Sequence, residues 1–103
     1  MPSYESALSH ESNIQWSATA ERFQSKIDAE IERIGDADPR VVDLNKLESI
    51  IHSSFAIYEK QGRSIVYVED DIKHRLANTQ NESDEKIYKQ ILLFLGGTFE
   101  FMI

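Results

Sequence analysis

The chain has 103 residues, 41% of them hydrophobic, which suits one domain and is too apolar for intrinsic disorder. Its 18 acids against 11 bases leave a formal charge of -7, and a surface this negative repels phosphate, so nucleic acid and anionic membranes are poor partners. With no cysteine, disulfides, thiolate nucleophiles and cysteine-ligated metal centres are excluded.

Residues 1–11 (MPSYESALSHE) are polar, serine-rich and aperiodic, and read as a loose start to a single helical domain spanning 12–103. They lack the basic start and apolar core of a secretory signal, and the longest wholly aliphatic or aromatic run, Ile91–Leu95, is far short of a membrane span, so a cytoplasmic protein is expected.

The first helix is predicted from about Asn13 to Ile34, with Ser12 and Gln15 at the spacing of a capping box. Trp16, Ala20, Phe23, Ile27, Ile31 and Ile34 step by three or four and form one apolar stripe, and Gly35 ends it. Asp36 to Pro39 is a turn. Asp38 can cap a second helix with Pro39 in its first position, or Asp43 can cap it one turn later. That helix runs to about Gln61 on a stripe of Leu44, Leu47, Ile51, Phe55 and Tyr58, and stops at Gly62.

Segment 63–79 carries two signals. Ser64 to Val68 is β-branched and aromatic, which favours a strand. Glu69, Asp70 and Asp71 are each followed four residues later by Lys73, His74 and Arg75, the favourable order for ion pairs on a helix surface. With Ile65, Val68, Ile72 and Leu76 also at helical spacing, a helix is predicted throughout. Asn81 or Ser83 can cap the last helix, whose first turn holds Glu82, Asp84 and Glu85 at the positive end of the dipole. From Ile91 on this helix is apolar all round, which predicts burial on several sides before Gly96-Gly97 ends it. In the tail, Phe99, Phe101 and Ile103 alternate with Thr98, Glu100 and Met102 at a strand-like period. The expected fold is an all-α, mainly antiparallel four-helix bundle with an apolar C-terminal tail. The alternative is an α+β fold of three helices and a small two-stranded ribbon from 64–68 and 98–103.

Residues with chemical potential are few. Glu48 and His52 share a helix face, as do Asp70 and His74, and paired carboxylates and imidazoles on two helices are the raw material of a bundle metal site. The spacings depart from the Glu-x-x-His pattern that di-iron bundles use, so no metal or other cofactor is expected. No serine sits in a Gly-x-Ser-x-Gly elbow, and Gly96-Gly97 lacks the lysine of a phosphate loop. The bases form no run and are interleaved with acids.

The aromatics are the most suggestive feature. Trp16, at the start of the first helix, is either core edge or a contact point, and the cluster Ile91, Phe94, Leu95, Phe99, Phe101 and Ile103 is a candidate contact surface unless the first two helices cover all of it. The leading expectation is a non-enzymatic protein–protein interaction domain, associating with itself as a homodimer through the last helix and tail. The second is an acidic inhibitor or immunity-type protein that blocks a basic or nucleic-acid-binding partner. The third is a small metal-dependent enzyme using Glu48, His52, Asp70 and His74.

Overall fold

The computed structural model describes residues 15–103. Four helices follow one another: α1 (Trp16–Ile34), α2 (Arg40–Gln61), α3 (Ile65–Asn78) and α4 (Glu82–Leu95). Consecutive helices run antiparallel, as their short loops require. The start of α1 meets the end of α2 where the Trp16 and Phe55 rings lie 5.2 Å apart. Tyr58 near the end of α2 reaches Asp71 on α3, with its hydroxyl donating to Oδ2 at 2.5 Å. Helix α4 runs parallel to α2, its first turn fastened near the start of α2 by Lys46–Asp84 at 2.6 Å and by Ser83 Oγ donating to Asp43 at 2.7 Å. The architecture is the predicted all-α bundle. No strand is present among the described residues, and none of their helices is long and apolar enough to cross a membrane.

The predicted stripes are the core. Helix α1 contributes Trp16, Ala20, Phe23 and Ile27. Helix α2 contributes Leu44, Leu47, Ile51, Phe55 and Tyr58, α3 contributes Val68 and Ile72, and α4 contributes Ile87, Ile91 and Phe94. Aromatic rings bind the bundle at one end. Phe23 lies 5.9 Å from Phe55 and 5.0 Å from Phe94, so a single ring joins α1, α2 and α4.

Local chemistry explains the boundaries, with two corrections. The first helix begins at Trp16, and Gln15 stands in the N-cap position with extended backbone and no side-chain cap. Gln15 is therefore not the inner partner of a capping box, and Ser12 and Asn13 lie outside the described residues. Burial of Trp16, whose Nε1 donates to Arg63 O at 2.8 Å, anchors the first turn instead. At α2 Pro39 takes the N-cap position rather than the first helical one, with no side-chain cap of its own; Asp38 just before it accepts from Arg40 N at 2.9 Å, while Asp43 lies inside the helix. The α2 helix closes on Gly62 in the left-handed conformation (φ +64°), with Gly62 N donating to Glu59 O and Arg63 N to Tyr58 O.

The strand alternative at 64–68 is overturned by a cap. Ser64 Oγ accepts from Tyr67 N at 3.2 Å, so the β-branched residues fall in the first turn of α3. Of the three expected acid–base pairs on this helix, the structure forms one, Asp71–Arg75 at 3.2 Å. Asn81 caps α4, accepting from Asp84 N at 3.0 Å.

Candidate functional site

The residues expected to form a contact surface divide into two groups. Trp16, Ile91 and Phe94 are at most 1% exposed and are spent inside the chain's own core. They offer no surface to a second chain, a correction that follows from how completely α1, α2 and α4 close around them. Leu95, Phe99, Phe101 and Ile103 are half-buried and pack against that core.

The tail reaches this position through a glycine turn. Gly97 (φ +88°) ends α4, with Gly97 N donating to Phe94 O at 3.0 Å and Thr98 N to Leu93 O at 2.9 Å. A positive φ of this kind strains any residue with a Cβ. Beyond it the chain is extended and folds back along α4. Phe99 lies 5.7 Å from Phe94 and 6.0 Å from Phe23, and Phe101 meets Phe94 edge-on at 5.5 Å. The predicted alternation is real: Phe99, Phe101 and Ile103 turn inward while Thr98, Glu100 and Met102 stay exposed.

What holds this segment is a buried polar residue, Gln90, fully inaccessible on α4. Its Nε2 donates to Glu100 O at 2.9 Å, and Met102 N donates to its Oε1 at 2.7 Å. A buried amide with both ends satisfied avoids the penalty of an unpaired polar group. Sequence reasoning missed Gln90. The signal was its position, three residues after Ile87 and four before Phe94, on the buried stripe of α4.

Outside the tail an apolar groove of about 360 Å³ remains, lined by Leu92, Leu93, Met102 and Lys89, with Met102 67% exposed. Only one of these four residues carries a charge. Against the tail itself, Arg22 and Lys26 on α1 each sit 5.2 Å from the Phe99 ring centre, and neither forms an ion pair among the described residues.

The four weak metal candidates are not gathered together. Glu48 and His52 face α1 across the α1–α2 hairpin, where His52 Nε2 donates to Gln24 Oε1 at 2.6 Å. Burial pushes the Glu48 carboxyl above its usual range, and the neighbouring Asp28 adds to this through its charge and a shared hydrogen bond. Asp70 and His74 are exposed on α3. Among the described residues, no group of three or more histidines and carboxylates is disposed to hold a metal ion. Asp71, next to Asp70, is engaged by Tyr58 and Arg75. The hydrogen bond from Tyr58, helped by Arg75, holds its carboxyl below the usual range, while burial pushes the Tyr58 phenol up.

Comparison with protein-family models, with curated proteins and with solved structures found no match to this chain.

Proposed function

We propose that this chain is a non-enzymatic protein–protein interaction domain, acting in the cytoplasm, that associates with a second copy of itself through the outer side of α4 and the segment 98–103. The observation that carries this reading is the groove of Leu92, Leu93 and Met102, an apolar hollow of about 360 Å³ on a molecule of net charge -7. Removing such a surface from water is the main favourable term in association. The contact therefore centres on Leu92, Leu93 and Met102, beside the half-buried Leu95, Phe99, Phe101 and Ile103.

The test is the molar mass in solution by light scattering, at low and high salt. A dimer at both salts supports the reading, because burial of apolar surface is not weakened by ionic screening. Met102→Glu and Leu93→Ser would then return the chain to a monomer with its helical circular dichroism intact. A monomer at every salt and concentration refutes self-association. Binding to a basic protein that weakens steeply with salt would favour the acidic blocking partner instead.

A further inference from the structure

We infer that a second hollow, of about 270 Å³ between the start of α1, the start of α3 and the end of α4, is a small-molecule site. Its ligand is an aryl-alkanoate, one aromatic ring on a short alkyl chain that ends in a carboxylate. The hollow shares no lining residue with the groove of Leu92, Leu93 and Met102, so this inference goes beyond self-association and stands or falls apart from it. The walls come first. Trp16, Phe23 and Phe94, each at most 2% exposed, line the hollow together with the half-buried Ile65 and Leu95. Contacts elsewhere hold these rings in place. Trp16 Nε1 donates to Arg63 O at 2.8 Å, and Phe23 and Phe94 lie 5.0 Å apart. The walls are therefore preformed and cost a ligand little ordering. An apolar cavity of about 150 Å³ takes a benzene molecule, so this one has room for a ring and a few methylenes.

The charge decides the other end of the ligand. Of the described residues that line the hollow, Arg22 alone is charged. It is exposed and forms no ion pair among the described residues. Its guanidinium lies over the Phe99 ring, 5.2 Å from the centre. That contact engages the face of the guanidinium and leaves the N–H donors in its plane, the geometry that takes a carboxylate through two parallel hydrogen bonds. On a molecule of net charge -7, a lining with one base and no acid is where an anion is accepted rather than repelled. The Thr19 hydroxyl does not compete for this role, because it already donates to Gln15 O at 3.2 Å. Access is open at Gly97, where an added Cβ would meet nothing within 4 Å.

Trp16 is the chain's single tryptophan, so its fluorescence reports on the hollow directly. The whole chain is titrated with phenylbutyrate, and with phenylbutanol and phenylbutylamine as neutral and cationic probes of the same skeleton. The expected result is a saturable change in Trp16 emission, with the carboxylate bound about tenfold more tightly than the alcohol and the amine weakest. Arg22→Gln should bring phenylbutyrate down to the affinity of the alcohol. Lys26→Gln, which removes the neighbouring cation outside the lining, should leave it within about twofold of the parent. Both positions are exposed, so the variants keep the core intact. Backbone amide NMR shifts on adding phenylbutyrate should centre on Thr19, Arg22 and Gly97. Absence of saturable binding overturns the site. Equal affinity for the three probes, or equal loss in the two variants, overturns the carboxylate assignment, and shifts centred on Leu92, Leu93 and Met102 overturn the location.

Discussion

Replacing Gln90 with alanine tests the contact that fastens the C-terminal segment to α4. The side chain is fully buried and makes two hydrogen bonds, to Glu100 O and from Met102 N. Each such bond contributes about 0.5–1.5 kcal/mol net. The one methylene lost beyond Cβ adds about 0.8 kcal/mol of burial. The expected loss is therefore about 2–4 kcal/mol, which for a domain of this size lowers Tm by roughly 10–25 °C. Thermal and urea unfolding followed by circular dichroism measure it, and hydrogen exchange at the Met102 amide reports the latch directly. Gln90→Glu sharpens the test. Ionised, it places a carboxylate against the Glu100 carbonyl in a buried site, so its folded-state pKa must lie above the ordinary glutamate value. Its stability is then retained at low pH, where the protonated carboxyl can donate to Glu100 O, and is lost as pH rises through the ordinary glutamate value toward that raised pKa. A Gln90→Ala loss below about 0.5 kcal/mol, with Met102 exchange unchanged, would refute the claim that this amide holds the tail.

Three further outcomes are expected. Gly62→Ala, where an added Cβ meets no atom within 4 Å, isolates the backbone cost of φ +64° and should lower stability by about 1–2 kcal/mol in urea unfolding. Tyr58→Phe removes the 2.5 Å bond to Asp71 and should cost about 1–2 kcal/mol near neutral pH. Its pH profile has two signatures. The raised phenol pKa makes Tyr58 stabilising below the ordinary tyrosine value of 10.0, an advantage lost as pH rises above it, and the variant should lack that alkaline slope. The lowered Asp71 pKa gives stability present above the ordinary carboxylate value and lost as pH falls through the folded one, and the variant should lose less on acidification. Glu48→Gln acts in the opposite sense. Because burial and Asp28 raise the Glu48 pKa, ionisation costs stability as pH rises through the ordinary value of 4.5, so the variant should have a higher Tm than the parent at pH 7 and a flatter profile.

Helix positions, the apolar stripes and most caps were legible in the order of residues, because they depend on contacts within three or four positions of one another. Ile65, Val68, Ile72 and Leu76 marked α3 as a helix despite its β-branched start, and the structure adds the Ser64 cap that settles it. The Asn81 cap and the Asp38 bond to Arg40 N were readable for the same reason. The alternation of 98–103 was equally plain, and the inward set is the one it indicated.

What the alternation could not say is which surface receives those side chains, since that depends on how α4 stands against α1 and α2. Only the packed bundle placed Phe99 and Phe101 on Phe94, drew Trp16 into the core, and left Leu92, Leu93 and Met102 outside. A polar residue on a helix reads as solvent-facing until something across from it supplies partners, so the pairing of Gln90 with residues ten and twelve positions away stayed hidden. The meeting of Asp28 with Glu48, and of Gln24 with His52, likewise follows from the register of two antiparallel helices. Helical period is a property of one backbone, whereas register between helices is set by the fit of side chains far apart in the chain.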